Sequence, residues 1–472
     1  MGFFRDRATP SLAEACSTGR DAMTSATTID VPALIDEQKV SSFQIRVLVL
    51  CALAATLDGF AAQMIGYLGP SVAREMHLSP AALTPVFAWG LLGLMLGALI
   101  FGPVADRFGR KPVIVLCTLF YGVITLATAK ADSGASLAML RFLAGLGFGG
   151  VMPNAIALTA EYSPHRRRGT MITIMFCGFP IGATIAGFAT VRILQVSSWR
   201  GVFVLAGVMP LLLAPALALL LPESIRHLVI HGGHAERVRQ LLARINPQLV
   251  FGRDTNFIVR EEHAPGMPVV HLFGQGRAIP TILLWIGFFM SLIDIYLLTS
   301  WLPTVFHNAG ITLSLSVIAT AVFQGGGVIA SLALGSLGDR FGSYRVVTIT
   351  YFLGAVCVAL LGYSHSIASI MGCTFFAGAG IVGGQTGANA LAASFYPTYI
   401  RSTGVGWALG IGRIGSIVGP IFGGVMLSLH WPLTTVFLAA AIPSFIGGAS
   451  IFLMGRAQVS AAPKGALGIA PS

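Results

Sequence analysis

Twelve apolar runs, each long enough to cross a bilayer as a helix, constrain this chain more than any other feature. They fall at about 46–67, 82–105, 112–130, 136–159, 170–192, 199–221, 278–300, 313–336, 345–363, 368–392, 403–427 and 431–454. A spanning helix takes roughly 20 residues. Inside lipid the backbone must satisfy its own hydrogen bonds, and a helix does so within one segment. The composition agrees, with 55% of residues apolar and 10% charged, where a soluble protein carries about 25% charged residues. So little charge cannot cover a soluble globule. A soluble domain, a disordered chain and a nucleic-acid-binding module are excluded, and an all-α membrane protein is expected.

Most links between the runs are short. The exception is 222–277, a polar stretch with seven Arg that divides the chain into six plus six. The expected organisation is an N-terminal tail (1–45), a six-helix half (46–221), a central loop (222–277), a second six-helix half (278–455) and a C-terminal tail (456–472). With the N-terminus placed inside, the tails and inward loops with the adjoining ends of the runs hold 23 Lys and Arg, and the outward loops with theirs hold four. Cytoplasmic loops carry the excess of Lys and Arg, so both termini are expected in the cytoplasm. The net charge of +11 is then a topology signal and a contact with lipid headgroups. Residues 1–45 lack the short apolar core of a signal peptide. Of the six cysteines, all but Cys16 lie in apolar runs and none forms a C-x-x-C pair. Neither a disulfide framework nor a zinc site is read from them, and no cofactor is expected.

The two halves repeat each other. Gly102-Pro-Val-Ala-Asp106-Arg107-Phe108-Gly109 follows the second run, and Gly335-Ser-Leu-Gly-Asp339-Arg340-Phe341-Gly342 follows the eighth. The offset of 233 residues also links Pro70 to Pro303, Gly145 to Gly378 and Arg168 to Arg401. Such repeats are related by an axis along the membrane normal, with the substrate site near mid-membrane between the halves. The fold class expected is twelve transmembrane helices in two pseudo-symmetric six-helix halves.

The run Gly102-x-x-x-Asp106-Arg107-x-Gly109-Arg110-Lys111 resembles the signature loop of the major facilitator superfamily. Arg141-x-x-x-Gly145 and Leu221-Pro-Glu223-Ser-x-Arg226 resemble further motifs of it. Leu57-Asp58-Gly59-Phe60, and the stretch from Tyr396 through Arg401, Gly404, Gly406 and Trp407 to Arg413, resemble the aromatic acid:proton symporters. These are bacterial importers of benzoate, hydroxybenzoates and related acids. That family carries Asp-Gly-x-Asp in its first helix, whereas this chain has Ala61 in place of the second Asp. At the repeat offset, Asp294 of the seventh run corresponds to Ala61, and it is a candidate for the second titrating carboxylate.

Among the acids, only Asp58 and Asp294 lie within runs and away from their ends. Charges at such depth cost several kcal/mol and are functional candidates by default. Asp58, Asp294 and, at the end of the fourth span, Glu161 are the candidate proton-carrying groups. Asp58 lies ~18 Å into its helix at 1.5 Å per residue, and Arg413 ~15 Å into the eleventh. Arg141 lies nearer the outer side. A guanidinium fork suits the two oxygens of a substrate carboxylate. The candidate substrate-binding set is Arg141 and Arg413 with Phe60, Asn154, Tyr296, Gln324, Gln385 and Asn389; Trp89 and Phe376 are further aromatics at this depth. Structural pairing between helices accounts for the same residues without a substrate. Trp199 and Trp301 read as interface anchors.

Acids in the inward loops oppose the topology rule, so Asp106 and Asp339 are expected in charge-paired latches. The latch set is Asp106, Arg107, Arg110 and Arg168 in the first half, and Asp339, Arg340 and Arg401 in the second. Three patterns are set aside. The Gly145–Gly150 match to G-x-G-x-x-G lies inside a span with no strand before it, so helix packing is read there. His227, His231 and His234 have no Cys or acid pattern to make a metal site. No G-x-S-x-G elbow and no P-loop is found. An enzyme is therefore not expected.

The expected function is a secondary importer carrying an aromatic carboxylate with protons by alternating access. Its expected partners are the small aromatic acid, protons and the lipid bilayer, with no nucleic acid, and it is expected as a monomer in the cell inner (plasma) membrane. A proton-coupled exporter, an importer of another organic anion or a sugar, and a non-transporting sensor with the same fold remain as alternatives.

Overall fold

The computed structural model describes residues 28–249, 251–252, 255–259, 269–397 and 400–461. Their elements are β1 (Thr28–Asp30), α1 (Val31–Glu37), α2 (Ser42–Glu75), α3 (Thr84–Phe108), α4 (Arg110–Thr128), α5 (Gly134–Glu161), α6 (His165–Val196), α7 (Trp199–Leu220), α8 (Ile225–Ile230), α9 (Ala235–Ile245), β2 (Asn256–Ile258), α10 (Ala278–Asn308), α11 (Leu313–Phe341), α12 (Ser343–Leu361), α13 (Ile367–Phe395), α14 (Arg401–Ser428) and α15 (Leu433–Ala461). Among the described residues, twelve helices are long and apolar enough to cross a membrane, namely α2–α7 and α10–α15. Most of them outrun the apolar stretches, because hydropathy marks only the lipid-crossing part of a helix. At the start of α2, Gln44 N donates to Ser41 Oγ (3.3 Å) and Ser41 N to Gln44 Oε1 (2.8 Å). This reciprocal cap starts the helix before the apolar run begins.

Each half is held by backbones packed at glycines. A Cβ on Gly182 of α6 would overlap the carbonyl oxygen of Thr56 in α2, and one on Gly415 of α14 would overlap that of Phe289 in α10. Gly145 of α5 stands in the same way against Gly90 of α3, and Gly378 of α13 against Phe323 of α11. All four positions in each half map onto the other at the 233-residue offset. Small residues that let backbones approach closely drive helix association in lipid. The signature loops also match, since Gly109 (φ +99°) and Gly342 (φ +88°) turn one helix into the next. That conformation favours glycine.

One face, called the loop face here, carries α1, α8, α9 and the described chain ends. On it β1 and β2 pair in parallel, Thr28 opposite Asn256. Asp36 of α1 accepts from His165 N (2.7 Å) and lies 3.5 Å from Arg168 at the start of α6.

The two halves touch toward the opposite, far face. There Gly66 of α2 meets the Thr299 carbonyl of α10, Gly187 of α6 meets Ala321 of α11, and Gly424 of α14 meets Thr84 of α3. Phe87 packs edge-on against Trp301 at 5.1 Å, and Trp301 Nε1 donates to Pro420 O (2.8 Å). Toward the loop face the same helices separate. Gly102 of α3, Gly335 of α11 and Gly406 and Gly410 of α14 have open space where a Cβ would stand. The space between the halves therefore opens to the loop face and is shut at the far face.

Trp301 and Trp199 differ from expectation. Both are buried, because each indole N–H has a partner inside the protein. Trp199 Nε1 donates to Glu75 Oε2 (2.7 Å), and Arg200 pairs with the same carboxylate while lying over the indole ring.

Two outcomes test this architecture. Gly182→Val and Gly415→Val force overpacking at a backbone contact and are each expected to destabilise by about 1–3 kcal/mol, whereas Gly410→Val is tolerated; thermal unfolding in detergent reads all three. In a protein stripped of its own cysteines, an impermeant maleimide is expected to label Asn389→Cys from the loop face and to spare Ser300→Cys beside the seal. Equal labelling of both overturns the one-sided opening.

Candidate functional site

Between the halves lies a cavity of about 110 Å³. The repeat relates its two walls. Ala98, Met152, Pro153, Phe176 and Pro180 line one side, and their counterparts at the 233-residue offset, Ser331, Gln385, Thr386, Leu409 and Arg413, line the other. At four of these five pairs the N-terminal half supplies an apolar residue and the C-terminal half a polar one. Phe148 and Phe179 add aromatic surface to the N-terminal wall. Asp58 is the acid among the lining residues and Arg413 the base. They come from opposite halves, on α2 and α14.

Asp58 is 2% exposed, and its Oδ1 has no hydrogen-bond partner among the described residues. Arg413 lines the same cavity from the other half. Arg413 Nη1 donates to Tyr296 Oη (3.3 Å), which aims the guanidinium along the wall. Gln385 Nε2 donates to Asn389 Oδ1 (3.3 Å), while Gln385 Oε1 and Gln324 Nε2 are buried without partners among the described residues. Of the sequence-expected residues, Asp58, Arg413, Tyr296, Gln324, Gln385 and Asn389 therefore meet in one cavity.

The others stand elsewhere. Arg141 donates to the carbonyls of Ala61 (3.1 Å) and Ala62 (3.2 Å) and lines a smaller void of about 30 Å³ toward the far face, beside Tyr296 and Ser300. Asn154 donates to Gly150 O (2.7 Å) and Phe101 O (3.4 Å), so its amide joins helices instead of facing the cavity. Phe60 is 2% exposed within the core of the half. Trp89 and Phe376 face outward. Asp294 is fully buried inside the C-terminal half and accepts from Ser444 Oγ of α15. Asp294, the candidate second titrating carboxylate, therefore does not line the cavity that holds Asp58. A side chain on α10 that faces α15 points away from the axis between the halves.

Glu161 and the latch residues gather at the loop face. Arg110 pairs with Glu161, whose Oε2 accepts from Ser224 Oγ (2.6 Å). Glu223 accepts from the backbone N–H of Arg110 (2.8 Å) and Lys111 (3.2 Å), capping α4. Asp106 is exposed and 3.9 Å from Arg110. Arg107 lies over Phe108, and Arg340 over Phe341. Arg168 is held by Asp36 and by Ser163 O (3.4 Å), and Arg401 donates to Tyr396 O (3.3 Å). The Asp339 side chain lies outside the described residues. Each of these contacts stays within one half, as the open loop face requires. His227 and His231 stack at 4.2 Å beside this cluster, with His227 Nδ1 3.2 Å from Asp106 O.

Phe148, Phe176 and Phe179 were missed from the sequence. An aromatic ring in a span reads alike whether it faces lipid or the axis. The repeat held a usable signal, because the counterpart of Gln385 is Met152 and that of Arg413 is Pro180.

The chain matches the model of the Major Facilitator Superfamily over residues 51–251 and 284–468. It is 38% identical over 435 residues to the 4-hydroxybenzoate transporter PcaK of Pseudomonas aeruginosa, covering 90% of this chain and 96% of that protein. It is also 38% identical over 440 residues to the gallate transporter of Pseudomonas putida, covering 92% and 97%. Its fold is similar to the crystal structure of a bacterial homolog to the human lysosomal transporter Spinster in an inward-facing, occupied conformation. The TM-score is 0.68 at 17% identity, covering 91% of this chain and 100% of that one. The relatives are transporters and not enzymes. A multi-pass bundle of twelve helices, a repeat that runs through both halves, and these relatives lead to one conclusion: the chain belongs to the major facilitator superfamily, within its family of aromatic acid transporters.

Proposed function

We propose that this protein imports an aromatic carboxylate together with protons, across the inner membrane, with the loop face in the cytoplasm. The observation that carries the reading is the opposed pair Asp58 and Arg413, set on different halves in one aromatic-walled cavity. The basic loop face supports the orientation, and the named substrates of the relatives support the substrate class.

The chemistry follows from competition for one guanidinium. When Asp58 is ionised, Arg413 is neutralised by it, and a substrate anion gains little. When Asp58 takes a proton, the charge of Arg413 is left for the substrate carboxylate, which it grips through two N–H donors. The ring lies against Phe148, Phe176 and Phe179, and the partnerless atoms of Gln324 and Gln385 serve ring substituents. Substrate and proton thus enter the cavity together with no net charge left on either. Rocking of the halves about the cavity then moves both. Release of the proton toward the loop face returns Arg413 to Asp58 and expels the anion. Asp58 is the coupling group in this scheme. Asp294 joins α10 to α15, and Glu161 belongs to the loop-face cluster.

Uptake of labelled 4-hydroxybenzoate into proteoliposomes tests the proposal. Accumulation is expected only with an inward proton gradient. Asp58→Asn is expected to abolish accumulation, and Asp294→Asn to retain it; the reverse pattern moves coupling to Asp294. Arg413→Lys loses a charge-assisted fork worth about 1.5–3 kcal/mol, so KM is expected to rise about 10- to 100-fold. Binding without flux in the wild type fits a sensor and rejects transport.

A further inference from the structure

A groove of about 870 Å³ runs between α12 and α15 on the outer side of the C-terminal half. Its loop-face end carries Arg345, in the first turn of α12, and Arg456, near the end of α15; both are exposed. Its length is walled by Phe341, Tyr344, Phe352 and Phe452. No acidic side chain among the described residues lines it. Tyr344 Oη donates to Gln458 Oε1 (2.7 Å), which ties the two helices at that end, and the Arg456 guanidinium lies 4.8 Å over the Phe452 ring. Phe341, Ile349 and Phe452 are exposed, so the groove is continuous with the lipid-facing surface.

The N-terminal half shows what belongs in this place. At the 233-residue offset Arg456 corresponds to Glu223, and Ser343 and Tyr344 correspond to Arg110 and Lys111. There the Glu223 carboxylate accepts from the N–H groups of Arg110 and Lys111 and packs against Gly109. The N-terminal half thus fills the position with its own anion. The C-terminal half has a guanidinium at that residue instead, and Gly342, the counterpart of Gly109, has open space around it.

We propose that this groove binds an anionic phospholipid. Arg345 and Arg456 hold the headgroup phosphate, and an acyl chain lies along Phe352 and Phe452. A soluble phosphate fits the basic end alone. A lipid fits both the basic end and the apolar length, and basic pockets between helices at this depth select acidic headgroups.

Native mass spectrometry of the delipidated full chain tests this, with phosphatidylglycerol and phosphatidylcholine as probes. Phosphatidylglycerol is expected to bind in preference. R345Q/R456Q is expected to weaken it about 25-fold, from about fivefold for each cation, and R345K/R456K to keep most of the binding. Circular dichroism melts check that the variants fold, as expected for exposed residues. Equal binding of the two lipids, or binding unchanged by R345Q/R456Q, overturns the proposal. Displacement of the lipid by glycerol 3-phosphate at equal concentration also overturns it, because the apolar length would then contribute nothing.

Discussion

Lipid offers apolar helices no reason to leave it for one another, so what joins them must be contact at a distance lipid cannot match. In this protein that contact is glycine against a backbone carbonyl, made at Gly182 and Gly145 in one half and at Gly415 and Gly378 in the other. Close backbones bring many dispersion contacts into range at once. They also make each half stiff, since a packed glycine interface has no side chain that can relax. Among the described residues the halves meet toward the far face, through Gly66, Gly187, Gly424 and the Phe87–Trp301 pair. Two stiff bodies joined along one edge can rock about it, and the cavity lies where such a motion changes access without dismantling either body.

The placement of charge follows from that mechanics. A charge pair within one half would move as a unit and sense nothing of the other half. Asp58 and Arg413 stand on different halves, so any rocking changes their separation and solvation together. Arg110 with Glu161 and Arg168 with Asp36 are the opposite case. Each pair ties elements of the same half, together with the segment that runs over the loop face. Glu223 extends this by fixing the signature turn to the start of α4. These contacts hold the loop-face ends of the N-terminal half together as one body.

Much of this was legible in the residues, and the rest was hidden for physical reasons. Span number, the six-plus-six division and the 233-residue repeat are written in hydropathy and identity. Asp58 and Arg413 stand out because charge at mid-membrane is costly. The facing of each side chain is different. The spans are apolar on every side, so no amphipathic stripe tells cavity from lipid, and Trp89, Phe376 and Phe60 could not be told from Phe148 and Phe179. Asn154 misled for a related reason, since a buried amide satisfied by backbone carbonyls of its own and a neighbouring helix carries the same letter as one that faces a ligand. Asp294 misled because the repeat preserves backbone position while the side chain turns toward Ser444.

Position 61, where the resemblance to the aromatic acid symporters implies a second Asp one turn from Asp58, holds Ala61 in this chain. Ala61 is fully buried, and Arg141 donates to its carbonyl and to that of Ala62. Arg141 is held by these backbone dipoles and by the Phe148 ring at 5.6 Å. Backbone carbonyls orient a guanidinium without cancelling its charge. Arg141 therefore keeps its charge in the small void that Tyr296 also lines, and Tyr296 accepts from Arg413. An organic anion between the halves would meet two cations, Arg413 and Arg141, against one cavity-lining acid among the described residues, Asp58. On the proposed scheme proton handling then rests on one carboxylate, a simpler arrangement than a coupled pair.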